Sequence, residues 1–485
     1  MTPSIFDPGL TATAIAETSC SDIDADGGTF HVRGYPIEAI ATKASYEEAT
    51  WLLRNGRLPT TDALESFRTE LANRRSISEP VHSVLETAAQ ENRSVMEALR
   101  MGLATATVNS DDTLIATSRV VAICPTIVTA YWQYREGGTP IQPHAAFSHT
   151  ANIWYMLTGM EPDDATVAGL ETYLTTIIEH GVTPSTFAAR IVGSTGADPF
   201  SAATAAVGAL TGPRHGGALT RIHAMFQHVG AVESPTTFVE RRLTAGESIP
   251  GFGHSVYTGC DQRTEILKQC AKTVLEGHSD TSLLEAATAL ETAVHNQVGA
   301  GAEHPRTPNV DFYAVVLLDA LAVSPPLFPA MFAIGRTAGW MAHYLEQLES
   351  ETLLRPRSQY DGPKPRSWVS RADRDAAISD EELNPDTLAE LANAFELLSE
   401  PSRLELLAIL DQASKPLSYS AFRERSSIQD KGRFNYHLRR LRGTLIANVG
   451  ATYTLRAPGQ RIVERLLDGD ITSSVGQTTD CDGEA

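Results

Sequence analysis

The chain has 485 residues, 42% of them hydrophobic and 20% charged, which excludes a peptide hormone or a disulfide-stapled module and leaves room for more than one domain of about 100–200 residues. Its 59 acidic and 39 basic residues give a formal net charge of −20, so its average surface repels nucleic acid and anionic lipid. Only six of the 39 cations are Lys; this acid-rich, Lys-poor balance resembles salt-adapted, halophilic cytoplasmic proteins, in which screening makes a large like-sign charge tolerable.

Residues 1–20 form an N-terminal extension without the basic and apolar regions of an export signal, which points to the cytoplasm. The five cysteines are odd in number and scattered, with no C-x-x-C pair, so neither a disulfide scaffold nor a zinc ribbon is expected. From 47 to 349, apolar residues recur every three or four positions, as in 46–53, 149–159 and 332–345, and predict helices. The helix predicted over 200–210 consists almost wholly of small residues, suited to a tight helix–helix contact. The most apolar stretch, 313–323, is interrupted by Asp319 and too short to cross a bilayer, so no membrane partner is expected. A mainly α domain over 21–362 is followed by a Pro-, Gly- and acid-rich linker over 363–386. A second folded unit spans 387–469, and the Gly-, Ser-, Thr- and Asp-rich tail 470–485 has the composition of a disordered segment.

Four loops place an ionisable side chain among Gly and Pro at expected helix ends. They are His-Gly-Val-Thr-Pro-Ser-Thr-Phe (180–187), Gly-Pro-Arg-His-Gly-Gly-Ala (212–218), Gly-Phe-Gly-His-Ser-Val-Tyr (251–257) and Pro-Asn-Val-Asp-Phe-Tyr (308–313). Glycine beside a polar residue permits unusual backbone angles and close ligand approach. Taken singly, each loop suits a turn or an N-cap as well as a catalyst. No metal-ligand spacing links them, so no metal is expected.

In this order, together with Arg-Gly-Tyr-Pro-Ile-Glu (33–38), Asp-Gln-Arg (261–263), Phe-Ala-Ile-Gly-Arg-Thr-Ala-Gly-Trp (332–340) and Arg-Pro-Arg-Ser-Gln-Tyr (355–360), the loops resemble citrate synthase. The resemblance implies a helical homodimer with two subdomains closing over oxaloacetate and acetyl-CoA or propanoyl-CoA, with no further cofactor. It implies Asp311 as the base that takes the thioester's methyl proton, His215 as hydrogen-bond donor to the enol oxygen and His254 as polariser of the ketone. It also implies His180, Arg263, Arg336 and Arg355 as substrate-binding residues and Ser185 as the group orienting His215. Leu219, Thr183 and Val315 depart from the family's usual Asn, Asn and Gly.

In the second unit, two helices, a short helix at 418–425, a longer one around 433–442 and two short strands about a Gly turn resemble an ArsR-like winged helix-turn-helix domain. Between 415 and 465 there are eleven Lys+Arg and three acids, 11 − 3 = +8, an electrostatic footprint for phosphate. Lys431, Arg433, Asn435, His437, Arg439 and Arg440 lie on or beside the candidate recognition helix, making DNA a candidate partner; a protein surface is the alternative. The favoured reading is therefore an acyl-CoA–oxaloacetate condensing enzyme with a DNA-binding or regulatory domain. Its rival is a transcription regulator whose synthase-like part senses oxaloacetate or CoA without turnover.

Overall fold

A computed structural model describes residues 6–10, 12–24, 28–107, 110–254, 256–257, 259–298, 307–362, 367–371, 396–413, 415–456, 459–460 and 463. The chain divides into two compact units, Met1–Gln359 and Tyr360–Ala485.

The first unit begins with a small antiparallel sheet that helix periodicity does not foretell: β1 (Ser21–Asp24), β2 (Thr29–Val32) and β3 (Tyr35–Pro36), in the order β1-β2-β3. Ser21 pairs with Val32, and Val32 with Tyr35. Period-2 alternation in β2 sends Phe30 and Val32 into the core. Helices follow: α1 (Ile37–Lys43), α2 (Tyr46–Asn55), α3 (Thr61–Ala72), α4 (Glu79–Gln90), α5 (Val95–Thr105), α6 (Thr113–Arg135), α7 (His149–Thr158) and α8 (Asp164–Thr176). The remainder are α9 (Pro184–Ser194), α10 (Pro199–Leu210), α11 (Ala218–Ala231), α12 (Pro235–Thr244), α13 (Gln262–Val274), α14 (Ser282–Gln297), α15 (Val310–Ala320) and α16 (Phe328–Glu349).

Their starts follow local chemistry. Thr183, Asp198 and Ser234 each accept a backbone N–H from the first turn and are followed by Pro, whose missing N–H costs nothing there. Ser94 and Glu97 close a reciprocal capping box on α5. The small-residue helix α10 packs on α5, α6, α9 and α16. Helix α6 is long and apolar enough to cross a membrane by length and composition, but most of it is buried within this unit, against α3, α4, α5, α7, α10 and α16. Residues 17–19 are tied to the fold: the Thr18 hydroxyl and the Ser19 N–H donate to Glu346 at 2.7 and 2.9 Å.

The second unit contains α17 (Pro401–Asp411), β4 (Leu417–Ser418), α18 (Tyr419–Arg425), α19 (Lys431–Leu441), β5 (Ile446–Val449) and β6 (Thr452–Leu455). The strands form an antiparallel sheet ordered β4-β6-β5. Gly450, at φ 62°, turns the hairpin. Leu406, Leu410, Phe422, Phe434, Leu438, Leu441, Ile446 and Leu455 make a separate core. The sequence anticipates these helices and the hairpin but not β4. The tail 470–485, most of the linker 363–386 and residues 387–395 at the start of the expected second unit lie outside the described residues.

Candidate functional site

The site begins at the middle of α16. Arg336 is 1% exposed, and its Nε donates to the Ile177 carbonyl at 2.6 Å. Two glycines let the turn after α8 lie this close. A Cβ at Gly335 would come 2.7 Å from Ile177 Cδ1, and one at Gly339 would come 2.4 Å from the Ile178 carbonyl oxygen. That turn carries Glu179 and His180, both buried.

Glu179 supplies the anion behind this cation. Its Oε1 accepts from the Ser21 hydroxyl at 3.0 Å, the Gly181 N–H at 2.6 Å and His343 Nε2 at 2.8 Å. Arg190 has only donors, so its 2.6 Å contact makes His343 Nδ1 an acceptor and puts that ring's donor on the Glu179 side. Arg190 also pairs with Glu346 at 3.1 Å. Burial pushes the Glu179 carboxyl up, but His343 and then Arg336 outweigh it and hold it below its usual range. Burial likewise lowers Arg336 to about 10, where it remains a cation at neutral pH.

Asp261 N-caps α13, accepting the Arg263 N–H at 3.1 Å and both arms of the Arg263 guanidinium at 2.9 and 2.7 Å. Both side chains are 2% exposed. The pair is therefore a fork-on-carboxylate contact inside the protein, and Arg263 has a fixed direction.

His254 and Asp311 are tied together by backbone. Phe252 and Pro308 form an isolated antiparallel bridge, the Asn309 N–H donates to the Gly251 carbonyl at 2.8 Å, and Asn309 Nδ2 donates to the Gly253 carbonyl at 2.9 Å. Gly251 and Gly253 both have φ above 80°, the left-handed region that glycine enters freely. The same Asn309 caps α15 by accepting the Asp311 N–H at 3.1 Å, which sets Asp311 in the first turn. His254 Nδ1 accepts the N–H groups of Val256 and Tyr257 at 3.0 and 3.3 Å. Its proton therefore sits on Nε2, where it is available as a donor.

His215 lies on the loop between α10 and α11, with its Nε2 2.8 Å from the Ser185 hydroxyl oxygen. The indole N–H of Trp340 donates to that oxygen at 3.1 Å. Ser185 can then give its own proton to Nε2 and leave His215 Nδ1–H as the free donor.

The protonation states match these geometries. Burial raises Asp311 to about 6 despite the pull of Arg263, leaving it a carboxylate at neutral pH. Burial lowers His215 to about 4, helped by Arg336, and lowers His254 to about 4, helped by Arg263. Burial, then Arg263 and Arg336, put His180 well below its ordinary value. The cluster thus offers one ionised base, neutral imidazole donors and two buried arginines. This suits proton abstraction beside a carbonyl and binding of a dicarboxylate.

The structure gathers His180, Ser185, His215, His254, Arg263, Asp311 and Arg336. It does not gather Arg355, which is exposed in irregular chain after α16, with no hydrogen bond or ion pair to the cluster among the described residues. Of the departures from the family pattern, Leu219 and Val315 are buried in the apolar core, and Thr183 caps α9. Ser255, in the Gly-Phe-Gly-His-Ser-Val-Tyr motif, lies outside the described residues. Sequence reasoning assigned no role to Tyr257, Asp261, Glu179, Trp340 or His343. Tyr257, Asp261 and Trp340 stand inside the recognised motifs and carried that much signal; Glu179 and His343 carried little beyond polarity within apolar helical runs.

In the second unit, Lys431, Arg433, Arg439 and Arg440 are exposed on α19, as is Tyr436, which the sequence did not single out. Arg433 and Arg440 each make a 3.4 Å contact, with Glu400 and Glu396. Asn435 is half-buried and accepts the Tyr419 hydroxyl at 2.8 Å. His437 corrects the sequence reading: it is buried, because 434, 437, 438 and 441 form the inward stripe of this helix, so its ring cannot meet DNA.

The family model described as citrate synthase, C-terminal domain, matches residues 9–357, and residues 391–466 match a domain of unknown function. The citrate synthase of Haloferax volcanii is 35% identical over 368 residues, covering 73% of this chain and 96% of that protein. The crystal structure of citrate synthase from Thermotoga maritima superposes with a TM-score of 0.68 at 32% identity, over 76% of this chain and 98% of that one. Citrate synthase from Thermoplasma acidophilum, solved as a ternary complex with carboxymethyl coenzyme A and oxaloacetate, gives a TM-score of 0.69 at 25% identity, over 77% and 100%.

Proposed function

The chain belongs to the citrate synthase family and is an enzyme of that kind; from that premise we propose that it joins acetyl-CoA to oxaloacetate with Asp311, His215 and His254 at the reacting atoms. Asp311 takes a methyl proton from the thioester while His215 Nδ1–H stabilises the oxygen of the forming enol. The enol carbon attacks the oxaloacetate ketone, which His254 Nε2–H polarises and protonates. Arg263, Arg336 and His180 hold the dicarboxylate. Water then cleaves the thioester, giving citrate and CoA.

The observation that carries this reading is a carboxylate, Asp311, ionised above about pH 6 in the field of both buried arginines, with two imidazoles that stay neutral down to about pH 4, His215 in the field of Arg336 and His254 in that of Arg263. The test is a thiol-release assay with oxaloacetate and acetyl-CoA. The intact protein should release CoA, and Asp311→Asn should lower the rate by about 10²- to 10⁴-fold. Equal rates in both proteins would overturn the assignment of the base. Propanoyl-CoA, one methylene longer, should be discriminated by no more than about 1–3 kcal/mol, so both thioesters belong in the assay. Homodimer formation and a cytoplasmic setting complete this reading.

For the second unit we favour a winged helix-turn-helix that binds DNA. Its helices, the β4-β6-β5 sheet and the exposed Lys431, Arg433, Tyr436, Arg439 and Arg440 of α19 support that reading. Duplex DNA should retard the full chain and not a chain ending at 386; equal retardation of both would remove the second unit from that role.

A further inference from the structure

The hydrogen bonds of the two histidines that would meet oxaloacetate converge on Tyr257. Its backbone N–H donates to His254 Nδ1 at 3.3 Å, and its phenol oxygen lies 3.1 Å from His180 Nε2. Its ring centroid is 5.5 Å from that of His180 and 4.8 Å from that of His254, while the two imidazoles stand edge to face at 5.1 Å. Tyr257 is buried. Its contact with His180 joins two segments 77 residues apart: the loop between α12 and α13 and the turn after α8.

We propose that Tyr257 is a positioning residue for oxaloacetate: its hydroxyl sets the tautomer and ring direction of His180 while its backbone N–H helps to set those of His254. The proposal rests on the condensation reading above and adds a determinant of substrate affinity to it. A buried phenol needs an acceptor, and among the described residues His180 Nε2 is the hydrogen-bond partner of this one. Tyrosine therefore donates, Nε2 accepts, and the His180 proton sits on Nδ1. At His254 the arrangement is reversed, with Nδ1 accepting and Nε2 carrying the proton. Two adjacent rings thus present opposite nitrogens as donors. Tyr257→Phe keeps the aromatic packing and the backbone N–H but removes the hydroxyl bond that selects the His180 tautomer.

The experiment measures oxaloacetate binding calorimetrically, and KM for each substrate, on the full chain in wild-type, Tyr257→Phe, His180→Ala and doubly substituted forms. Tyr257→Phe should weaken oxaloacetate binding about tenfold and raise its KM similarly, with the acetyl-CoA KM within about twofold of wild type and melting nearly unchanged. In the His180→Ala background, the same change should cost less than about twofold more, because the hydroxyl acts through that ring. Unchanged oxaloacetate affinity, equal losses for both substrates or additive effects in the cycle would each overturn the proposal. A wild-type protein that binds oxaloacetate but releases no thiol would instead overturn the condensation reading, with the binding cycle still deciding the role of Tyr257.

Discussion

Arg263 and Arg336 of the first unit and Arg433 and Arg440 of the second perform opposite tasks. In the first, Arg263 and Arg336 are buried and aimed: one is gripped by Asp261 at 2.9 and 2.7 Å, the other donates to the Ile177 carbonyl with Glu179 as nearby counter-charge. In the second, Arg433 and Arg440 stand in solvent, each with one 3.4 Å contact to an exposed or half-exposed Glu. The difference is one of desolvation. A charge inside the protein must be compensated and therefore becomes rigid, whereas a hydrated charge keeps its freedom and remains available to a large anion.

The contrast predicts unequal costs. The largest should come from Asp261→Ala, which strands the Arg263 charge in the interior; urea unfolding should show a loss of about 3–5 kcal/mol, and a loss under 1 kcal/mol would mean that water reaches the guanidinium. An intermediate effect should appear in the pH profile of kcat/KM. In the proposed reaction Asp311 acts only as a carboxylate, so its rise to about 6 predicts a plateau above that pH and a tenfold fall per unit below it. The histidines, at about 4, stay neutral throughout that limb. A plateau persisting to pH 5 would break the link between burial of Asp311 and its basicity. The smallest effect should be that of Arg433→Ala, changing stability by less than about 1 kcal/mol while weakening DNA retardation. A larger stability loss would make Arg433 a structural group like its counterparts in the first unit.

How much could be read in advance differs from residue to residue. The starts of α9, α10 and α12 were legible because Thr183-Pro184, Asp198-Pro199 and Ser234-Pro235 pair a capping oxygen with a residue that has no N–H. The inward position of His437 was also legible, from its spacing to Phe434, Leu438 and Leu441. The strands β1 to β4, two to four residues long, were not, since so few positions cannot establish a period of two; β5 and β6, equally short, were legible through the Gly turn between them. Arg263, Arg336 and Arg355 looked equivalent within their motifs; the fold buries two and exposes the third.

The amino-acid sequence alone determined which chemical groups exist, where helices begin and which glycine-bearing loops present Asp311, His215, His254 and His180, because these depend on local backbone preference and on motif order. Tertiary structure decided which imidazole nitrogen is free, which arginine is desolvated and how strongly Asp311 holds its proton. For His215 and His180 the deciding partners are distant in sequence, Ser185 and Trp340 for the first and Tyr257 for the second, and for Asp311 it is burial by the fold, opposed by the arginines of α13 and α16; His254 is the exception, fixed by the nearby N–H groups of Val256 and Tyr257. Proximity in space sets electrostatic energy, and no local pattern in the chain encodes it.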